Sequence, residues 1–211
     1  AVIMAHGDDK GLRLPPKIAP HQVVMVPIAQ NENGHLKVRE FISPVLDEMR
    51  KGGIRIYEDW SDNSPGFKFN EWEMKGVPLR LEVGPRDIES GQAVLVRRDT
   101  GEKIILEKNM ITEQAPRLLE EIQKGLFEQA LTFREKNTHE VSSYSNFRDT
   151  IKNKGGFIRC GWDGTQKTEM KIKEDTNATI RCILNNEDLS GMKCVYSGNP
   201  AKHVVIYGKA Y

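Results

Sequence analysis

The feature that most constrains the fold of this chain is an unbroken apolar run, Val23–Ile28. A short run without polar interruptions is typical of a strand that is buried on both faces of a sheet. A helical stripe of apolar residues follows over Val38–Arg50, and the pair Gly52-Gly53 can end that helix. The next apolar segment, Ile54–Tyr57, has the length of a strand. Strand, helix and strand in this order predict a right-handed βαβ unit.

The segments that follow continue the same architecture. Pro65 can open a short helix, and Leu79–Val83 alternates apolar and charged residues as a half-buried strand does. A hairpin is predicted next, with strands at Ala93–Arg97 and Lys103–Leu106 joined by the turn Asp99-Thr100-Gly101. A long helix is predicted after it, over about Ala115–Lys136. These elements total about five strands and three helices, the pattern of an α/β layer domain of roughly 120 residues.

A second, smaller α/β domain of about 70 residues is predicted after a polar linker, Asn137–Ser145. A short helix is expected around Phe147 and Ile151, and a charged helix over Thr165–Asp175 has a narrow apolar stripe at Met170 and Ile172. Three strands are expected at Gly156–Arg159, Ala178–Leu184 and Val204–Tyr207. At the other end, Ala1–Met4 is interpreted as a short buried strand, so the chain is expected to be a piece of a larger protein.

The composition excludes several classes of protein. Of 211 residues, 31 are Lys or Arg and 30 are Asp or Glu, so the formal net charge is +1 and there is no global basic field. No apolar run approaches the ~20 residues of a membrane helix, and the first residues do not resemble a signal peptide. Three separated cysteines do not indicate a disulfide framework and favour a reducing cytoplasm. Any affinity for RNA must therefore come from a local patch.

The stretch Ser64–Asp87 concentrates the residues that could recognise a ligand. Because its strand alternates, Arg80 and Glu82 are expected on one face, opposite the core. Such a pair is also common as a solvated ion pair, and Trp72 on the preceding helix is also consistent with a core position. Carboxylates and guanidiniums together can read a nucleobase that offers both donors and acceptors.

Three segments of the chain carry a family resemblance. Gly66–Asp87, GFKFNEWEMKGVPLRLEVGPRD, resembles the anticodon-binding domain of prolyl-tRNA synthetases of the archaeal and eukaryotic type. The early segment HGDDKGLRLPPKIAPHQVVMVPI resembles the end of that family's catalytic domain, and NPAKHVVIYGKAY resembles its C-terminal extension. The resemblance implies a remnant of the catalytic domain at 1–17, a class IIa anticodon-binding domain at 18–136 and a C-terminal domain at 137–211.

The resemblance also implies which residues read the anticodon. Proline anticodons carry guanine at their second and third positions, and the bases of a single-stranded loop can be read on their Watson–Crick edges. Guanine offers donors that suit a carboxylate and acceptors that suit arginine or lysine. Carried over residue by residue, the family's contacts fall on Glu73, Arg80, Arg86, Asp87 and, in the hairpin, Lys103.

Further implications of the resemblance concern the whole enzyme. Its partners would be the proline tRNA, proline and ATP with Mg²⁺, and it would act in the cytoplasm as a homodimer through the catalytic domain, with no membrane or DNA partner. Lys10 would lie near the position at which many class II synthetases have an arginine that contacts ATP. The alternative interpretation is that Lys10 belongs to a surface loop. Two signature motifs are absent, so no catalytic residue is expected here. Tyr211 would anchor the C-terminus near the active site.

Many members of the family hold zinc with four cysteines, and this chain keeps only part of that set. Cys160 and Cys194 match two ligands, whereas the other two positions fall near Thr165 and near Tyr196 or Ser197. A structural zinc site needs four ligands, so no zinc is expected. Cys182, within a predicted strand, is interpreted as a core residue.

Two alternatives to a synthetase remain open at this point. One is a stand-alone paralogue that binds RNA or protein without aminoacylation. The other is an unrelated α/β redox or nucleotide-binding domain. The second lacks a motif, because Gly52-Gly53 and Gly155-Gly156 are expected to end helices, whereas a phosphate site needs glycines that open one.

Overall fold

A computed structural model describes residues 1–29 and 31–209 of the chain. These residues form two compact units, the first from Ala1 to Ala130 and the second beginning at Leu131. Both units are mixed α/β structures, as the sequence predicts. The borders predicted at 17 and 136 remain predictions.

The first unit is built on a five-stranded sheet. Its helices are α1 (Val2–His6), α2 (Glu32–Lys51), α3 (Pro65–Lys75), α4 (Pro85–Ser90) and α5 (Ile111–Lys136), the last of which runs into the second unit. Its strands are β1 (Val23–Pro27), β2 (Ile56–Glu58), β3 (Leu79–Val83), β4 (Gln92–Arg97) and β5 (Lys103–Glu107), with a single 3-10 turn at Lys108–Met110. The order is β2-β1-β3-β4-β5. The strands β2, β1 and β3 run parallel to one another, and β4 is antiparallel to both of its neighbours, β3 and β5.

Helices cover β1 on both faces, which explains its unbroken apolar run. On one face, Val23 and Met25 join the main core with α2 and α5. On the other face, Val24 and Val26 pack with Trp72 of α3. A strand buried on both faces has no position that favours a polar side chain.

The second unit has a four-stranded sheet in the order β6-β7-β9-β8. Its elements are β6 (Thr138–Glu140), α6 (Tyr144–Asn153), β7 (Phe157–Trp162), α7 (Gln166–Thr176), β8 (Ala178–Leu184) and β9 (His203–Lys209). Phe147 of α6 and Ile172 of α7 meet Ile158 and Tyr207 of the sheet in one separate core.

Several predicted elements need correction. Ala1–Met4 is not a buried strand: Val2–His6 is helical, with Ile3 68% and Met4 83% exposed, and so short an apolar run does not distinguish helix from strand. A fourth helix, α4, follows Gly84, because Pro85 is preorganised for the first helical position and Asp87 caps the Gly84 N–H. The polar segment 137–145 is not only a linker, since β6 lies within it as a polar edge strand.

Three smaller expectations also differ from the structure. Cys182 is exposed and is not a core residue; it lies in the edge strand β8, where the register with β9 shifts between Ile180 and Cys182. Met170 is 52% exposed, and the buried positions of α7 are Thr168 and Ile172. The helices α2 and α5 begin earlier than predicted, since the Asn31 side chain caps α2, and α5 starts at the buried Ile111 and tolerates Pro116 in its interior.

Candidate nucleic-acid interface

The helix–turn–strand segment from α3 to β3 forms one side of the candidate site. The Ser64 side chain accepts a hydrogen bond from the Phe67 backbone N–H, and Pro65 occupies the first turn of α3. The helix ends at Gly76, whose φ of 75° is in the left-handed region. This cap turns the chain into β3, so that the last turn of α3 lies beside the start of that strand.

A buried polar network fixes α3 on the sheet. The Asp59 carboxylate accepts a hydrogen bond from Trp72 Nε1 at 2.7 Å, and the Asp59 carbonyl accepts one from Lys68 Nζ at 3.0 Å. Asp59 is 4% and Lys68 2% exposed. Burial acts to raise the pKa of Asp59, but hydrogen bonds from Ser61 and Trp72 lower it below its usual value. Trp72 is therefore a core residue with a hydrogen-bonded indole.

Three of the predicted anticodon residues line one small cleft, which we call the α3–β3 cleft. It has a volume of about 230 Å³, and its charged lining includes Glu73, Arg80 and Lys103. Arg97 and Arg98 also line it and are paired with the carboxylates of Asp99 and Asp8 respectively. The cleft therefore combines an acceptor group with cationic donors, which is the combination that guanine requires.

The expectation that Arg80 and Glu82 point away from the core is only partly correct. They share the face opposite the main core, but α3 covers that face, and their side chains are only 15% and 6% exposed. Arg80 Nε donates to Glu82 Oε1 at 2.8 Å, and Lys103 Nζ lies 4.0 Å from Glu82 Oε2. Glu82 is thus a buried carboxylate that binds Arg80 and lies near Lys103, and its spacing of two residues from Arg80 is the pattern by which the sequence paired these two residues.

An aromatic ring lies directly beside these charges. The guanidinium carbon of Arg80 is 4.3 Å from the centre of the Phe69 ring. Phe69 is partly buried against the small apolar layer around Trp72. A ring under a guanidinium restricts the orientation of the arginine, so Phe69 contributes to the site, a role that the sequence analysis does not assign to it.

The structure does not bring Arg86 and Asp87 into the α3–β3 cleft. Both belong to α4, which the sequence interpretation missed. Asp87 Oδ2 accepts the Gly84 backbone N–H at 2.7 Å as a helix cap, and Arg86 is exposed in the first helical turn. Their predicted role as anticodon contacts remains a prediction.

Lys10 lies at the rim of the same cleft. Its Nζ is 3.1 Å from Glu73 Oε1, with side-chain exposures of 66% for Lys10 and 32% for Glu73. The turn that carries Lys10 is held by Arg98, whose guanidinium binds the Asp8 carboxylate through two nitrogens at 2.9 and 2.6 Å. The Arg98 hydrogen bond is the main cause that holds the pKa of Asp8 at about 2. Lys10 is thus held at the rim of the cleft by this contact, and its predicted role near ATP remains a prediction.

The second unit contains the positions that the resemblance compares with zinc ligands, among them Cys160, Cys194, Thr165 and Ser197. Cys160 and Cys194 are buried, and burial raises the pKa of the Cys160 thiol to about 12. The hydroxyls of Thr165 and Ser197 both donate to the Asp163 carboxylate, at 2.9 and 2.7 Å. Within residues 1–29 and 31–209, no three side chains of His, Cys, Asp or Glu are grouped as a metal site would require.

Other parts of the described chain bear on the alternatives. Gly52 follows the end of α2, and Gly155-Gly156 follow α6, so neither pair opens a helix as a phosphate-binding loop does. Among the residues that the structure describes, no helix is both long enough and apolar enough to cross a bilayer. Tyr211, the predicted C-terminal anchor, lies outside the described residues.

The family models and curated relatives agree on one family. Residues 22–122 match a family described as the anticodon binding domain, and residues 144–211 match one described as prolyl-tRNA synthetase, C-terminal. The chain is 47% identical over 211 residues to a protein named "Proline--tRNA ligase" from Lachnospira eligens, covering 100% of this chain and 43% of the relative. A protein of the same name from Prosthecochloris aestuarii is 49% identical over 220 residues, covering 100% of this chain and 45% of the relative.

A solved structure agrees with these matches. Prolyl-tRNA synthetase from Cryptosporidium parvum, complexed with L-proline and AMP, superimposes with a TM-score of 0.86 at 35% identity over 99% of this chain and 45% of that one. The chain thus spans less than half the length of the relatives that it matches. On these grounds the chain belongs to the prolyl-tRNA synthetase family, of which it carries the anticodon-binding and C-terminal domains.

Proposed function

We propose that this chain is the tRNA-recognition part of a proline–tRNA ligase and that the α3–β3 cleft reads the guanines of the proline anticodon. The observation that carries the proposal is the grouping of Glu73, Arg80 and Lys103 around one cleft. Glu73 would accept the N1–H and N2–H donors of one guanine. Arg80 and Lys103 would donate to guanine acceptors, and the buried Glu82 binds Arg80 and lies 4.0 Å from Lys103.

Two further residues are proposed to act from outside the cleft. Arg86 is exposed in the first turn of α4, where it can reach a base or a phosphate of the loop. Asp87 uses only Oδ2 in its helix cap, so Oδ1 can accept a hydrogen bond from RNA. Because α4 directly follows β3, both residues are connected to Arg80 through a short and rigid segment.

The activity of the whole protein follows from its relatives as a proposal. The full-length protein would join proline to its tRNA with ATP and Mg²⁺, in the cytoplasm, as a homodimer formed through the catalytic part. The bound L-proline and AMP of the Cryptosporidium parvum neighbour support these substrates. The fragment alone would bind tRNA without catalysing the reaction, because the part of the relatives that it does not span would carry the catalytic site.

The proposal is tested by binding of the 211-residue chain to stem-loop RNAs with the proline anticodon and with each guanine changed to adenine. Arg80→Ala should remove about 1–3 kcal/mol of discrimination at one of the two positions. Arg80→Lys keeps a charge beside Glu82 but loses the planar fork, so we expect it to lose discrimination as well. Arg117→Ala removes an arginine that is 65% exposed on α5 and serves as the matched control.

The outcomes separate base reading from general RNA affinity. Equal losses for all RNAs would mean that Arg80 contacts only phosphate. A wild-type chain that binds guanine and adenine loops equally would contradict the proposed function.

Tyr211 is tested in the full-length enzyme. We propose that it anchors the C-terminus near the active site, so its removal should lower the aminoacylation rate more than the affinity for tRNA. Unchanged aminoacylation kinetics after its deletion would exclude a catalytic role for the chain end.

A further inference from the structure

We propose that Lys10 is a specificity-determining residue of the α3–β3 cleft, which donates to O6 of the guanine that Glu73 holds. This inference rests on the proposed function. It gives the N-terminal segment a part in anticodon recognition and explains why that segment is attached to the end of α3.

The position of Lys10 is set by a compact backbone turn. The backbone N–H of Gly11 donates to the Asp8 carbonyl at 3.1 Å, and the N–H of Asp8 donates to the Gly11 carbonyl at 3.0 Å. The Lys10 N–H donates to Asp8 Oδ1 at 2.9 Å. The side chain of Lys10 therefore projects from a turn in which three hydrogen bonds restrict the backbone.

Arg98 connects this turn to the residue that Lys10 contacts. Two guanidinium nitrogens bind the Asp8 carboxylate, while Nε donates to the backbone carbonyl of Glu73 at 2.7 Å. The Arg98 side chain is only 5% exposed, and bidentate pairing of this kind fixes geometry as well as charge. One buried arginine thus sets the distance between the Lys10 turn and the Glu73 backbone.

Two glycines allow the close approach of the segments. Gly11 has a φ of 127°, and an added Cβ would lie 2.5 Å from the Met74 carbonyl oxygen. Gly76 has a φ of 75°, and an added Cβ would lie 2.5 Å from the Leu12 carbonyl oxygen. The Leu12 and Leu14 N–H groups donate to the carbonyls of Met74 and Gly76, both at 3.0 Å. The N-terminal segment therefore follows the end of α3 at backbone contact distance.

The Lys10–Glu73 pair matches the full Watson–Crick edge of guanine. A carboxylate can accept N1–H and N2–H together, and O6 then lies next to the carboxylate oxygen beside N1. An ammonium group has three N–H donors, so Lys10 can keep its bond to Glu73 Oε1 and direct another donor at O6. Adenine presents an acceptor at N1 and a donor at the sixth position, so it opposes both halves of the pair.

The exposure of the pair makes Lys10 suitable for substitution. With Lys10 66% and Glu73 32% exposed, the ion pair contributes little to folding. Lys10→Met should therefore leave the urea midpoint of the chain unchanged. Lys124→Met, which removes a lysine 76% exposed and paired with Glu128, is the matched control.

The test is a double-mutant cycle between Lys10 and guanine O6. Stem-loop RNAs carry 6-thioguanosine at one anticodon guanine at a time, because this base keeps N1–H and N2–H while sulfur is a weak acceptor. We expect the wild-type chain to lose roughly five- to tenfold in affinity at one position, Lys10→Met to lose a similar factor with the normal RNA, and the combination to lose little more. Inosine, which lacks the 2-amino group, should couple to Glu73→Gln and not to Lys10→Met.

The measured affinities distinguish a contact of Lys10 with guanine O6 from a contact with phosphate and from no contact. Additive losses at both positions, or no loss on Lys10→Met, would overturn the inference about Lys10. A uniform loss for guanine and adenine RNAs with a smaller salt dependence would show a phosphate contact in its place. If the wild-type chain does not prefer guanine over adenine, the proposed function itself fails, which is a different result from failure of the Lys10 cycle.

Discussion

At the scale of single residues, the site depends on carboxylates that hold other groups in place. Glu82 holds Arg80 and lies 4.0 Å from Lys103, and Asp8 holds Arg98. None of these carboxylates has to contact RNA to matter, because each one fixes where a donor points. Residues of this kind are found from contacts and burial, whereas sequence spacing alone identifies the charged groups without their partners.

Asp163 should show a pH-dependent contribution to stability. Burial acts to raise its pKa, but hydrogen bonds from Ser197, Thr165 and Thr168 hold the pKa at about 2, below the ordinary 3.8. A lowered pKa stabilises the folded state above pH 4 and loses that effect as the pH falls toward 2. Asp163→Asn should therefore cost about 1–3 kcal/mol in urea unfolding at pH 7, and the difference from wild type should shrink between pH 4 and pH 2. Asp188→Asn, at an exposed loop carboxylate, should have a much smaller effect at either pH.

At the scale of elements, α3 is positioned by two separate devices. The Asp59–Trp72–Lys68 network holds the middle of α3 against the sheet, and the close contact of Gly76 with Leu12 holds the end of the helix. Since α3 carries both Phe69 and Glu73, its placement determines the geometry of the cleft.

Breaking the buried network from one side should be costly. Besides its bond to the Asp59 carbonyl, Lys68 Nζ lies 3.9 Å from Asp59 Oδ1. Lys68→Met leaves that carboxylate buried without a cation, so we expect a loss of about 3–5 kcal/mol in the free energy of unfolding. The double variant Asp59→Asn with Lys68→Met should recover part of this loss, because it leaves no unpaired charge. Urea unfolding of the single and double variants measures the coupling, and fully additive losses would mean that the two residues act independently.

Gly76 and Gly91 offer a matched comparison of two helix ends. Both are left-handed caps, with φ of 75° and 69°, but only Gly76 has atoms close to the position of a Cβ. Gly91→Ala should cost about 1–2 kcal/mol for the backbone conformation alone. Gly76→Ala should cost about 1–3 kcal/mol more, because its Cβ would overlap the Leu12 carbonyl. Equal losses for the two variants would show that the N-terminal segment moves away without cost.

At the scale of the whole molecule, the two units have separate hydrophobic cores, one around β1, α2 and α5 and the other around Phe147 and Tyr207. Separate cores allow separate cooperative unfolding. Gly76→Ala should therefore raise hydrogen exchange in peptides of the first unit and leave β7 and β9 unchanged. Equal loss of protection in both units would show one cooperative structure.

The second unit is also expected to fold without metal. Thr165 and Ser197 offer hydroxyls that bond to the Asp163 carboxylate, and Cys160 and Cys194 supply only two of the four ligands that a structural zinc site needs. Elemental analysis of the purified chain should show less than stoichiometric zinc, and a chelator should not change the urea midpoint. One zinc per chain, lost together with stability, would contradict this prediction.

The sequence by itself determined the fold class, most of the elements and the family. These came from local patterns: the apolar run of β1, the stripes of α2 and α5, and the alternation of Leu79–Val83. Such patterns show the hydrophobic period of a segment and the face that it buries. Both can be read from a window of about ten residues. The family resemblance likewise points to Glu73, Arg80 and Lys103, which line one cleft.

Only the tertiary structure decided what those residues contact. The burial of Glu82 depends on the helix that packs over its strand. The hydrogen bond between Asp59 and Trp72 and the contact between Lys10 and Glu73 each join different segments of the chain. It also showed that α1 is helical, that α4 carries Arg86 and Asp87 outside the cleft, and that Cys182 is exposed. The physical reason is that hydrogen-bond partners and solvent exposure depend on which elements pack together, and no local period encodes that choice.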